Sequence, residues 1–124
     1  MEQAIDYARI LDVPFAYSSN GLGFVEHDMK MGTERNLSMA EFPTPEELWN
    51  RYKGNYDITE SVEEVIKQPY FYREGINRPR YYQRIAINRT VEAVARGQKR
   101  IMLVMATGTG KTCTAFQIIH RLYE

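Results

Sequence analysis

The sequence predicts an α/β fold, and three observations carry that expectation. Five apolar residues, Ile101-Met102-Leu103-Val104-Met105, run into a glycine-rich turn, and a helix-like stretch from Cys113 to Tyr123 follows. Strand, loop and helix in that order make one unit of a parallel α/β sheet. Just upstream, Ile87, Val91, Val94 and Ala95 recur at helical spacing. Nearer the N-terminus, the apolar runs Val13 to Tyr17 and Gly23 to Val25 flank Ser18-Ser19-Asn20-Gly21, a strand–loop–strand pattern.

Taken in order, Glu2 to Leu11 reads as the end of a helix, with Gln3 and Tyr7 four residues apart on one face. After the two short strands, Arg35 to Phe42 is expected to add a third strand or an extended exit. Pro43-Thr44-Pro45-Glu46-Glu47-Leu48-Trp49 is a helix start: Thr44 caps, Pro45 fits the first helical position, and Glu47 closes a capping box. From Arg51 to about Ile76 the period is lost, with one short helix expected over Val62 to Ile66. Pro79 falls in the first turn of the next helix, and Gly97 is its left-handed stop. Arg100 to Met105 is expected to be a buried parallel strand, because such strands are continuously apolar.

The 124 residues suffice for one small domain or parts of two. No apolar run approaches the ~20 residues that span a bilayer. A single cysteine, Cys113, excludes a disulfide framework and suits a reducing cytoplasm. The formal charge of zero hides an asymmetry. Residues 1–74 hold 14 Asp/Glu against 7 Lys/Arg, and residues 75–124 hold 9 Lys/Arg against 2 Asp/Glu. A basic C-terminal part suits a polyphosphate or nucleic acid, although halves of opposite sign also attract each other. Glu26-His27-Asp28-Met29-Lys30 reads as a solvated strand and turn. His27 and His120 lack metal-ligand spacing, and Cys113 reads as a packing residue. Tyr52, Tyr56, Tyr70 and Tyr72 read as packing between domains.

The chemistry sits in Met105-Ala106-Thr107-Gly108-Thr109-Gly110-Lys111-Thr112. Phosphates need many donors at close range. Gly108 and Gly110 let the main chain curl round an anion, and the amides of Thr109 to Thr112 open a helix whose dipole favours negative charge. Lys111, the predicted catalytic residue, would reach the β- and γ-phosphates, and Thr112 would offer its hydroxyl to Mg²⁺. Thr107 completes the candidate nucleotide-binding set with Gly108, Thr109, Gly110, Lys111 and Thr112. The general pattern begins with glycine where this chain has Met105, a departure that matches the helicase form of the motif.

Gln83 lies 28 positions before Lys111, within Arg80-Tyr81-Tyr82-Gln83. Its carboxamide sets a donor beside an acceptor, which matches the N6 and N7 edge of adenine and selects ATP over GTP. Tyr81 or Tyr82 could pack against the base. Alone, Gln83 reads as an ordinary helix residue. The phosphate loop downstream decides for the adenine contact.

Pro79-Arg80-Tyr81-Tyr82-Gln83-Arg84-Ile85-Ala86-Ile87 followed by Met105 to Thr112 resembles the start of a superfamily 2 helicase motor. More narrowly, the chain resembles the R (HsdR) subunit of type I restriction enzymes. Gln3-Ala4-Ile5-Asp6-Tyr7 matches a Q-x-x-x-Y element of its nuclease domain, Val13 to Gly21 the strand and turn after it, and Phe42 to Trp49 the connection to the motor. The resemblance implies three parts: residues 1–42 as the C-terminal edge of a restriction-endonuclease-like domain, 43–76 as a helical connection, and 77–124 as the start of a RecA-like parallel-sheet motor domain, incomplete here. It implies ATP and Mg²⁺ as cofactors, and as partners double-stranded DNA and the specificity and modification subunits, with no membrane. Gln3 and Tyr7 would support the nuclease site through DNA contacts or positioning.

The resemblance covers nearly the whole chain but a slice of such a subunit. The nuclease carboxylates would precede Gln3, and the Asp-Glu box of the motor would follow Thr112. The chain alone is therefore expected to bind nucleotide weakly at most, without turnover or DNA cleavage. Two alternatives stand beside it: another superfamily 2 helicase of the DEAD/DEAH-box kind, and a free-standing nucleotide-binding module.

Overall fold

A computed structural model describes residues 1–123, which form two compact units, Met1–Ile58 and the part from Thr59 onward. The first unit opens with helix α1 (Glu2–Leu11), which ends at Asp12 in the left-handed conformation, its N–H returning to Ala8 and Arg9 carbonyls. Strands β1 (Phe15–Ser19), β2 (Gly23–Asp28) and β3 (Thr33–Ser38) then form an antiparallel sheet in the order β1-β2-β3. Local side chains set both turns. Asn20 Oδ1 accepts from the Leu22 amide, while Asp28 Oδ1 accepts from the amides of Lys30 and Met31. The strand–loop–strand expectation holds. The third strand starts earlier than expected and gives way to a 3₁₀ turn, Met39–Glu41.

Register explains what the sheet presents. Tyr17 pairs with Glu26, and Glu26 with Arg35, so the three side chains form one row across a single face. Phe15, Asp28 and Thr33 make the next row. Helix α2 (Pro45–Asn55) reaches this face through Arg51 and Asn55. Its start is as the sequence predicts: Glu47 N donates to Thr44 Oγ1 at 3.2 Å and Thr44 N to Glu47 Oε2 at 2.7 Å. Tyr52 and Tyr56 pack in a row with Trp49 along α2, inside the first unit.

The second unit contains α3 (Glu60–Ile66), α4 (Tyr81–Ala95) and α5 (Lys111–Tyr123), with α4 packed against both others. Ile87 and Val91 of α4 are fully buried. Gly97, at φ 90°, ends α4 as expected. Tyr70 and Tyr72 contact Arg121 and Arg78 within this unit.

The expected strand before the phosphate loop is corrected. Residues 101–105 form no strand: among the described residues the sheet holds β1 to β3 alone. Met102 and Val104 are 84% and 86% exposed. A strand exists only where a second backbone accepts and donates its hydrogen bonds, and no described segment does so here. Helix α5 turns a polar face inward. Its inward face carries Thr114, Gln117 and Arg121, all buried, while Phe116 and Ile119 are exposed.

Candidate nucleotide site

In the second unit the N-terminal turn of α4 meets the loop before α5. Gln83, buried on α4, donates from Nε2 to the Thr109 carbonyl at 2.8 Å and accepts at Oε1 from the Arg80 amide at 2.9 Å. The Thr109 hydroxyl and amide both turn back to the Ala106 carbonyl, closing the loop on itself. Gly108 and Gly110 take φ of 78° and 81°, which a side chain at either position would oppose. A Cβ at Gly110 would also stand inside van der Waals contact of Gln83 Nε2.

The first helical bond of α5 is Thr114 N to Gly110 O at 2.9 Å. The amides of Lys111, Thr112 and Cys113 precede it, and such first-turn N–H groups have no carbonyl within their own helix. Lys111 and Thr112 are exposed at that terminus, as are Thr107 and Gly108. The helix dipole and these amides favour an anion there. Tyr81 is 55% exposed beside Gln83, its ring edge-on to Tyr82. The structure thus gathers Gln83 with Thr109 and Gly110, 26 residues apart at the hydrogen bond, and leaves Lys111 and Thr112 open to a ligand.

Gln3 and Tyr7 belong to the first unit. They share a 3.2 Å hydrogen bond on α1 and are both exposed. Among the described residues, no three His, Cys, Asp or Glu side chains are grouped to hold a metal ion.

Sequence reasoning missed a second polar centre. Glu26 is 1% exposed, not solvated as expected, and Asp28 is buried beside it. Arg51 grips the Glu26 carboxylate with both Nη atoms, Arg35 Nε reaches it at 2.7 Å, and the Tyr17 hydroxyl donates to it. Burial alone would raise the Glu26 pKa, but the hydrogen bonds from Arg51, Arg35 and Tyr17 outweigh it and bring it down to about 2. Burial and the adjoining carboxylate push the Tyr17 hydroxyl the other way, well above its usual range. The Arg51 guanidinium also covers the Phe15 ring at 4.4 Å, and Asn55 donates to Asp28. The available signal was alternation: Glu26 and Asp28 share a face with Phe24 on β2.

The inward face of α5 was missed too. Gln117 forms a two-point amide pair with the backbone of Phe71, at 2.9 and 3.0 Å. Arg121 donates to the carbonyls of Ile66 and Gln68 and to Asn88 Oδ1, with its guanidinium over the Tyr70 ring. Burial lowers the pKa of this guanidinium, since all three acceptors are neutral. Together they strap the segment after α3 to the helix that opens at Lys111.

Comparison with known proteins places these features in a wider family. A family model described as "Type III restriction enzyme, res subunit" matches residues 76–124. The type I restriction enzyme EcoAI endonuclease subunit of Escherichia coli is 48% identical over the whole chain. The EcoKI endonuclease subunit of E. coli K12 is 34% identical over 90% of it. The chain spans only 16% and 10% of the length of those two proteins. A solved structure described as a fragment of an HsdR subunit of a type I restriction enzyme from Vibrio vulnificus YJ016 superposes with a TM-score of 0.88. It is 47% identical and covers 99% of this chain, which spans 22% of that one.

Proposed function

The chain is a homologue of one segment of the endonuclease (HsdR) subunits of type I restriction enzymes, and on that premise we propose that its second unit binds ATP as part of a DNA-translocating motor. The observation that carries this reading is the Gln83 amide bonded to Thr109. It sets an adenine-matching side chain against the loop that precedes the open N-terminus of α5. Lys111 then neutralises the β- and γ-phosphates, and the amides from Thr109 to Thr112 cradle them with Thr107, Gly108 and Gly110. Thr112 would help to hold Mg²⁺ through its hydroxyl oxygen. The ion supplies charge neutralisation on the phosphates.

In this reading residues 1–42 are the edge of a nuclease domain, 43–76 a connection, and 77–124 the first strand, phosphate loop and helix of a RecA-like motor. Residues 101–105 become the first strand once neighbouring strands pair with them. Gln3 and Tyr7 support the nuclease site. The parent acts in the cytoplasm on double-stranded DNA, with specificity and modification subunits, cutting it in an ATP-dependent reaction. No described helix is long and apolar enough to cross a membrane.

Titration of the chain with ATP and GTP in Mg²⁺, followed by calorimetry, tests the binding claim. ATP is expected to bind more tightly than GTP, and Lys111→Ala to remove most of that binding. Equal affinity of the Lys111→Ala chain for ATP would overturn the assignment.

A further inference from the structure

We infer that Gln83 is a positioning residue for the phosphate loop, acting through the Thr109 carbonyl and seated over Gly110. The inference deepens the nucleotide-binding reading above and rests on it for the identity of the ligand.

One side of the loop is closed by its own turn, with the Thr109 hydroxyl and amide on the Ala106 carbonyl. That turn leaves the carbonyl of Thr109 itself free to rotate with the peptide that follows. Gln83 Nε2 captures it at 2.8 Å. The peptide between Thr109 and Gly110 is trans and planar, so aiming its C=O at Gln83 turns the Gly110 N–H the opposite way. Gln83 therefore sets the direction of a loop amide that it never touches.

Three further features support that role. The Gln83 amide is itself held, because Oε1 accepts from the Arg80 amide and the side chain is buried. Gly110 leaves the space that the amide occupies. The residue after it, Lys111, opens α5, so the fixed peptide immediately precedes the helix terminus that faces an anion. A carboxamide has two N–H donors and two acceptor lone pairs. After the bonds to Thr109 and Arg80, one donor and one lone pair remain for a base edge, so one side chain can hold base and loop together.

The test separates loop from base by using inorganic tripolyphosphate, which has no base. The full chain, Gln83→Ala and the near-isosteric Gln83→Glu are compared by ¹⁵N relaxation without ligand and by titration with ATP and tripolyphosphate in Mg²⁺. Amide exchange at Ile87 and Val91 checks that α4 is intact. In both variants the order parameters of Gly108 to Gly110 are expected to fall from about 0.85 to below about 0.6. Gln83→Ala is expected to weaken tripolyphosphate about fivefold, as the loss of one such hydrogen bond does. Unchanged loop order with weakened ATP alone would make Gln83 a base reader and overturn the inference. If the parent chain binds neither ligand, the nucleotide reading fails, and loop order alone decides: a fall upholds the positioning role, and no change sinks it.

Discussion

Arg51 and Glu26 meet as a two-point ion pair, Nη1 to Oε2 at 3.0 Å and Nη2 to Oε1 at 2.9 Å, across 25 residues of sequence. The fork geometry suits guanidinium and carboxylate, and burial makes the pair costly to break from one side. Glu26→Gln leaves Arg51 facing a neutral amide and is expected to destabilise the first unit by about 3 kcal/mol. Trp49, the only tryptophan, lies in that unit, so its fluorescence in a urea titration reads the loss.

The same carboxylate sets an acid limit. Its pKa falls from the ordinary 4.5 to about 2 on folding, so its stabilisation is complete above pH 4.5 and disappears as pH falls towards 2. The amount at stake is on the order of 3 kcal/mol. The Trp49 urea midpoint should drop through that window, and the drop should be smaller in Glu26→Gln. Parallel pH profiles for the two proteins would refute the assignment.

Arg121 donates to three carbonyl-type acceptors, one of which, Asn88 Oδ1, it shares with the Tyr70 hydroxyl. Arg121→Ala should cost the second unit about 3 kcal/mol. Arg121→Lys should recover little, because an ammonium cannot reproduce the planar fork. Backbone amide exchange at Ile87 and Val91 measures both.

Thr114 Oγ1 is buried and, among the described residues, has no hydrogen-bond partner. A methyl group there loses nothing and sheds the desolvation penalty. Thr114→Val is expected to stabilise the second unit by about 1 kcal/mol, read as slower exchange at the α4 amides. Destabilisation by that amount would mean that the hydroxyl is satisfied.

Gly110→Ala meets two obstacles, a φ of 81° and the Gln83 amide. The backbone part costs about 1–2 kcal/mol, and the steric part adds to it. Combining Gly110→Ala with Gln83→Ala removes only the steric part. The double variant should therefore be more stable than the sum of the singles predicts, by about 1 kcal/mol. Strict additivity would show that the two residues do not interfere.

Whether an element could be read from sequence depended on where its partners lay. The Thr44–Glu47 cap, the hairpin turn at Asn20 and the stop at Gly97 are fixed by residues within a few positions, and all three were legible. So was the amphipathic α4, because Ile87 and Val91 need only face inward. The apolar run at 101–105 was misread, since a strand is made by a neighbouring backbone and no local pattern supplies one. Glu26 was misread for the same reason: its burial depends on Arg51, far along the chain. Helix α5 was legible as a helix but its inward face was not, because Gln117 and Arg121 find backbone partners 46 and 55 residues earlier. At the candidate site, the loop motif and Gln83 were recognisable one by one. Their direct bond was not, since nothing in the spacing shows that the amide reaches a carbonyl of the loop.

The Arg121 to Ile66 hydrogen bond also has a consequence for synthesis. The C-terminal carbonyls of α3 leave the ribosome 55 residues before the side chain that caps them. At roughly 5–20 residues per second, that is a wait of roughly 3 to 11 seconds. During it, α3 and the segment behind it are exposed to chaperones and proteases while α4 has only one of its two helical neighbours. This strap therefore cannot form until the helix carrying Lys111 has itself been made.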